Sequence, residues 1–278
     1  SRRNYLELSP GIEKLILLAL LLASRVHSRA DAVVEPLFLA AIGKDTVVGS
    51  TFVLSGPEAK HAVSVRRMIQ GEAIAVSDGA GIKIRGKVSK VGKDTLDVNV
   101  ESVELVSAPS VQLHLVQALA KGDRDELAIQ ACTELGLYGV IPWQADRSIS
   151  IWKDEKKAKG QTRWQTIVTE AAKQSLRAFV PIVEPVQTSQ ELMSRLSSFD
   201  LVLVLDPEAK NSIAQVQLPA MGAVALVVGP EGGMSESELD AFTDVGFSLV
   251  RMGPGVLRTS TAGMAAVSFL QAKLGEWN

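Results

Sequence analysis

The sequence predicts an α/β protein: a mostly parallel sheet with helices on both faces, preceded by a small β-rich domain. Three observations predict it. From Val111 onward, short apolar strands alternate with capped helices. Residues 201–205 and 224–228 are continuous apolar runs, the pattern of strands buried on both faces. Residues 37–106 instead show short alternating runs separated by turn signals such as Asp78-Gly79 and Lys93-Asp94. Ala108-Pro109-Ser110 marks the boundary. The chain therefore divides into an N-terminal extension (1–36), a β-rich domain (37–107) and an α/β domain (108–278).

In the β-rich domain, strands are expected over 46–54, 72–77, 81–91 and 95–106. One helix interrupts them, starting near Pro57, a favoured first helical position, and running to about Met68. Over 82–88, Lys83, Arg85 and Lys87 alternate with Ile82, Ile84 and Gly86. Period two puts the three charges on one face, which predicts a small barrel with a basic outer surface.

In the α/β domain, a strand over 111–119 leads to Asp123-Arg-Asp-Glu126. Its spacing is that of a capping box opening a helix, with Leu127, Ala131 and Leu135 on one stripe. A strand over 140–143 and a helix over 163–177 follow, the latter with Trp164, Val168, Ala171 and Ser175 in register. Thr188-Ser-Gln-Glu191 and Ser235-Glu-Ser-Glu238 are further capping boxes. The last strand is expected over 247–252 and the last helix over 259–274.

Composition narrows the function classes. One cysteine, Cys132, excludes an internal disulfide, and the three histidines form no cluster with zinc-ligand spacing, so no metal site is expected. The composition fits a reducing, cytoplasmic setting. The formal net charge is −2, yet Lys60 to Lys93 holds eight basic residues against two acids. A basic patch on an acidic body is the pattern of an RNA footprint, although charge alone favours a solvated strand face. Near the N-terminus, 15–23 is almost wholly apolar and too short to span a bilayer, so no membrane partner is expected. It imitates a signal-peptide core, but Arg25 and Arg29 follow it, and it reads as an extra helix or a non-native leader.

Two late loops carry the strongest signal. Gly229-Pro-Glu231-Gly232-Gly233 separates a buried strand from a capped helix, and such glycines let a ligand approach bare backbone N–H groups. No Lys-Ser/Thr follows, so it is not a Walker loop. About twenty residues later comes Met252-Gly253-Pro-Gly-Val256-Leu257-Arg258-Thr259-Ser-Thr261. Two glycine-rich loops at strand ends of a parallel sheet predict one shared ligand site. An arginine at a helix start opposes the helix dipole, which argues that Arg258 has a specific task toward a phosphate, a carboxylate or developing negative charge. There is no G-x-S-x-G, and Cys132 lies in an apolar helix stripe, so hydrolase chemistry lacks support.

The pair GPEGG and LRT-x-TA resembles the cofactor loops of the knotted SPOUT methyltransferases, and within them the RsmE family. Further segments carry the likeness: Lys121-Gly-Asp-Arg124, then Thr133-Glu-Leu-Gly136; Asp146-Arg147-Ser148; Ala171-Ala-Lys-Gln174-Ser175 with Arg177; and Asp206-Pro-Glu208. In the first domain, His61 to Gly71, with Val65-Arg66-Arg67-Met68, is similar to the family's PUA-like RNA-binding barrel. The chain departs from the pattern at Lys173 and Asp146, where glutamate is usual, at Leu176, where glycine is, and at Gly255 and Ser260.

The resemblance implies a SPOUT-type knotted parallel sheet, a homodimer, and S-adenosylmethionine as methyl donor. The implied reaction methylates the ring nitrogen at position 3 of a uridine in small-subunit (16S) ribosomal RNA. Leu205, Gly229, Glu231, Gly232, Gly233, Met252, Gly253, Val256, Leu257, Thr259 and Thr261 are then expected around the cofactor, and Arg258 is the catalytic candidate. Arg66, Arg67, Lys83, Arg85, Lys87, Lys121, Arg124, Arg147, Gln174 and Arg177 are expected to hold RNA. The alternatives are ribose 2′-oxygen methylation on the same fold, or a non-catalytic RNA-binding factor in ribosome assembly.

Overall fold

A computed structural model of the protein describes residues 35–277. The expected helix or leader at 15–23 lies outside the described residues. Strands β1 (Leu37–Leu39), β2 (Thr51–Ser55), β3 (Ala73–Ser77), β4 (Ile82–Val91) and β5 (Thr95–Leu105) make a five-stranded sheet in the order β1-β3-β4-β5-β2. Every pairing in it is antiparallel except β1 with β3. Period two sends Ile74 and Val76, Ile84 and Val88, and Leu96, Val98 and Val100 into one core.

Helix α1 (Gly56–Lys60) continues as a π turn over His61–Val65 and adds Ala59 and Ala62 to that core. The helix expected to about Met68 ends earlier, because Arg67 turns left-handed at φ +55°. Strand β4 shifts register at Arg85/Gly86. A Cβ at Gly86 would collide with the Asn99 carbonyl oxygen, so the close approach there requires glycine.

The second sheet holds β6 (Val111–Ala118), β7 (Gly139–Gln144), β8 (Ile182–Val183), β9 (Gln187–Thr188), β10 (Leu201–Leu205), β11 (Asn211–Ser212), β12 (Gly222–Val228) and β13 (Ser248–Arg251). Its order is β11-β13-β10-β12-β6-β7-β8, with β9 also on β7, and every pairing is parallel. Neighbouring residues of its strands go to opposite faces. Leu115, Leu203 and Leu226 pack with Ile129 of α2 (Arg124–Glu134), Trp164 of α3 (Glu155–Gln174) and Leu270 of α6 (Thr259–Leu274). Val116, Val204 and Val227 pack with Leu192 of α4 (Ser189–Leu196) and Phe242 of α5 (Glu236–Asp244). This is the expected doubly covered sheet.

Helix α3 starts at Glu155, ahead of the expected 163; its first two turns are mostly exposed and so carry no apolar stripe. The capping boxes at Thr188 and Ser235 form as expected. That at Asp123 does not: its side chain makes no cap bond. Asp125 holds the loop instead, accepting from the Ala120 and Glu126 N–H groups at 3.0 and 2.8 Å. Burial pushes its carboxyl up to about 6 against those bonds.

Contacts join the two sheets' domains. Lys173 Nζ, buried, reaches Glu58 at 2.9 Å and Glu170 at 3.1 Å. Lys83 Nζ donates to the Leu176 carbonyl at 3.3 Å. Leu176 sits at φ +56°, a left-handed turn that glycine would adopt without strain.

Candidate functional site

All strands of the second sheet run the same way, so their C-terminal ends share one edge. Registers place Val250, Leu205, Val228, Gln117 and Pro142 in one row across that edge. Above the row opens a cleft of about 710 Å³, within the roughly 300–1,000 Å³ of small-molecule sites. Leu205 and Val228 form its floor; the loop from Gly229 to Met234 and the loop from Val256 to Thr259 form its sides. The two loops singled out in the sequence therefore meet on one cavity.

Glycine shapes the first loop. Gly233 holds φ +71°, and a Cβ there would meet no atom within 4 Å, so the backbone faces open cleft. Glu231 closes the loop onto the segment before α2: its Oε1 accepts from the Lys121 N–H at 3.0 Å and from Arg124 Nη1 at 2.8 Å. Burial opposes its charge, but these bonds and the Arg124 guanidinium hold its carboxyl below the usual carboxylate range. Arg147 Nη1 donates to the Gly232 carbonyl at 3.3 Å. Buried Glu238 accepts from the Asp146 N–H, Ser189 Oγ and the Ser235 N–H, each at 2.8 Å. Asp146-Arg147-Ser148 is thereby fixed beside the first loop.

The second loop ends at Arg258, the N-cap residue of α6. Its side chain is exposed on the cleft wall and makes no hydrogen bond or ion pair among the described residues. Thr259 Oγ1 donates to the Gly229 carbonyl at 2.9 Å and accepts from Gln117 Nε2 at 2.9 Å. Asp206, Glu208 and Glu236 add carboxylates to a wall that also carries Arg124, Arg147 and Arg258. Such mixed charge suits a ligand with both a cationic and an anionic part.

Eight of the expected cofactor and catalytic residues line the cleft: Leu205, Gly229, Glu231, Gly233, Val256, Leu257, Arg258 and Thr259. Gly232, Met252, Gly253 and Thr261 stand outside its walls. Gly232 backs onto Arg147, Met252 packs on the core, and Thr261 Oγ1 donates to the Arg258 carbonyl at 3.1 Å.

The expected RNA residues separate into groups. Arg66, Arg67, Arg85 and Lys87 are exposed on the β-rich domain. Lys83 is not part of that open face: period two placed it correctly along the strand, but the end of α3 covers it, leaving it 6% exposed. Arg124 and Arg147 are at the cleft, and Lys121 adjoins it through its own N–H. Gln174 and Arg177 are elsewhere. A Cβ on Gly136 would meet both Arg177 Nη1 and Gln271 Nε2, and Gln271 is twelve residues along α6 from Thr259, about 18 Å. Burial lowers the Arg177 pKa from the usual guanidinium value, and its Nε is buried without a partner among the described residues. This arginine is not a cleft residue.

Sequence reading missed Gln117 altogether. A polar residue inside an apolar strand that is buried on both faces was the available signal, since buried polar groups need partners.

Residues 107–271 match the RNA methyltransferase domain family, and residues 54–101 match the RNA methyltransferase PUA domain. The ribosomal RNA small subunit methyltransferase E of Mycobacterium tuberculosis is 39% identical over 236 residues, 83% of this chain and 89% of the relative. The chain belongs to the ribosomal RNA small subunit methyltransferase E family. The Bacillus subtilis member is 35% identical over 230 residues, 78% of this chain and 88% of the relative. The Neisseria gonorrhoeae member, solved bound to S-adenosylmethionine, superposes with a TM-score of 0.78 at 28% identity, covering 88% of this chain and 100% of that one. A Legionella pneumophila chain, solved in complex with the same cofactor, gives 0.74 at 30% identity, covering 86% and 97%. The fold is that of the SPOUT methyltransferases, a parallel α/β domain behind a PUA-like domain.

Proposed function

We propose that this protein transfers a methyl group from S-adenosylmethionine to the N3 ring nitrogen of a uridine in 16S ribosomal RNA, as a homodimer in the cytoplasm. Family membership and the cofactor bound in the solved relatives support the donor. The observation that carries the reading here is the convergence of both glycine-rich loops on one cleft with an unpaired arginine at its wall.

The residues fit the cofactor. Gly233 leaves backbone exposed where a side chain would intrude, and the wall offers both signs of charge. Bound there, S-adenosylmethionine supplies an electrophilic methyl group. The protein must supply the rest. Uridine N3 carries a proton and is a poor nucleophile until that proton leaves. The Arg258 guanidinium can then hydrogen-bond a carbonyl oxygen of the uracil anion, lowering the barrier by stabilising charge that develops only during reaction. Glu231 is a poor base, since the Arg124 guanidinium and the Lys121 N–H, both bonded to its Oε1, hold its carboxyl below the usual carboxylate range. Its role is to hold the loop.

The target uridine must be unpaired or flipped for its N3 to reach the cleft. Arg124 and Arg147 at the cleft, and Arg66, Arg67, Arg85 and Lys87 on the β-rich domain, supply phosphate contacts. Met264 and Phe269 of α6 pack against the core yet stay only half-buried, and this remaining apolar exposure supports pairing with a second copy.

The test is transfer from methyl-labelled S-adenosylmethionine to small subunits or their RNA, followed by digestion to nucleosides and mass spectrometry. Label in 3-methyluridine is expected. Label in a ribose 2′-O-methyl nucleoside would redirect the chemistry, and no transfer with RNA bound would leave a binding factor.

A further inference from the structure

We infer that Gln117 is a positioning residue of the cofactor cleft: its buried side-chain amide fixes the Thr259 hydroxyl so that the two loops act as one rigid frame around S-adenosylmethionine. The inference rests on the reading of the cleft as the cofactor site.

Gln117 is the penultimate residue of β6 and stands in register with Val228, on the cleft floor. Register partners on parallel neighbours project to the same face, which directs its side chain toward the start of α6. It is 0% exposed. Both protons of its amide are used: Nε2 donates to the Ala118 carbonyl at 3.1 Å and to Thr259 Oγ1 at 2.9 Å. Two acceptors on that side fix which end of the amide is nitrogen. Having accepted this bond, the Thr259 hydroxyl sends its own proton to the Gly229 carbonyl at 2.9 Å. One chain of hydrogen bonds thus runs from β6 through the second loop to the first. The Thr259 hydroxyl is fully engaged inside the protein and acts as a brace for the loops.

The other end of the amide is the second observation. Gln117 Oε1 is buried and has no partner among the described residues. A half-satisfied amide in an apolar strand is a poor device for stability, and an apolar side chain of similar length would avoid the orphaned oxygen. What the glutamine alone provides is a donor aimed at Thr259. Supporting bonds of this kind, one layer behind the ligand, set the geometry of the residues that touch it.

The experiment is calorimetric titration of the full chain with S-adenosylmethionine, alongside thermal melting, for Gln117→Met, Thr259→Val, their double variant and Thr259→Ser. Met keeps the length of Gln without the donors; Ser keeps the hydroxyl. Gln117→Met and Thr259→Val should each weaken binding roughly tenfold or more, as loss of supporting partners does at other sites. The double variant should be no weaker than the worse single one, and Thr259→Ser should stay close to wild type. Wild-type affinity in folded Gln117→Met, or strictly additive losses in the double variant, would overturn the inference. If Gln117→Met does not fold, Thr259→Val against Thr259→Ser decides, with equal affinity counting against the brace. Gly233→Val separates the two levels. Unchanged binding in that variant removes the cleft as the cofactor site, whereas loss there with full binding in Gln117→Met removes only the role of Gln117.

Discussion

Glu231 and Arg124 are 107 residues apart in the chain and 2.8 Å apart in the fold. Their bond, with the one from the Lys121 N–H, ties the GPEGG loop to the segment before α2. Replacing Glu231 by Gln removes the charge and keeps the shape. The loop should loosen, and S-adenosylmethionine affinity should fall several-fold with little change in melting temperature, because exposed pairs contribute little to stability. The Glu231 carboxyl is held below its ordinary pKa, so the bond is present above the unfolded carboxylate range and is lost as pH falls through the lowered value. Titrations of cofactor binding should therefore be level down to the ordinary carboxylate range and decline below it more in the wild type than in Glu231→Gln.

The basic stretch divides into two roles. Arg66→Glu with Lys87→Glu should weaken RNA binding and flatten its salt dependence, since fewer counterions are released. Cofactor affinity should not change. Lys83→Met should do the opposite: RNA affinity and salt slope stay, while stability falls as the bond to the Leu176 carbonyl is lost. Filter binding across a salt series, with urea unfolding of the same variants, distinguishes them.

His114 should make the fold acid-sensitive. It is half-buried between Phe199, at 5.0 Å between ring centroids, and Tyr138, at 5.8 Å. Burial pushes its imidazole from 6.5 down to about 4, with Arg195 adding to the effect and Glu184 opposing it. The unfolded chain therefore binds the proton first, and stability is lost as pH falls from about 6.5 to about 4. By linkage the loss at pH 5 is about 2 kcal/mol. The buried Asp125 carboxyl, raised to about 6, acts in the opposite sense over the same range. The His114 contribution is therefore read as the difference between the wild type and His114→Leu in how the urea midpoint changes from pH 7 to pH 5, the wild type being the more acid-sensitive.

The fold was legible where its causes are local. Strands such as Leu201–Leu205 are apolar throughout because helices cover both faces, and that pattern is written in sequence. The boxes at Thr188 and Ser235 need only four consecutive residues. Asp123 failed because a competing local bond, from the Ala120 N–H to Asp125, took over the turn. Lys83 failed for a different reason: period two gives the face, but only tertiary structure says that Leu176 lies over it. Motif order likewise does not reveal that Arg177, expected to hold RNA, lies beside Gly136 and Gln271. The paired loops were visible through glycine and proline, but their joint brace at Gln117 spans 142 residues and has no local pattern.

Arg258 should matter for chemistry more than for binding. Its side chain has no partner among the described residues, so Arg258→Ala removes nothing from the fold. Single-turnover methyl transfer at saturating cofactor and RNA should fall about a hundredfold or more, with cofactor affinity within a few-fold of wild type. Arg258→Lys keeps the charge without the planar fork and should recover only part of the rate. An equal fall in cofactor binding would instead make Arg258 a cofactor contact.

Nucleoside mass spectrometry of small-subunit ribosomal RNA from cells lacking the gene tests the central claim most directly. The deletion strain should lack one 3-methyluridine per subunit; the wild-type gene should restore it, and the Arg258→Ala and Gly233→Val variants should not. Full 3-methyluridine in the deletion strain, or its restoration by both variants, would contradict the assignment of this cleft to that reaction.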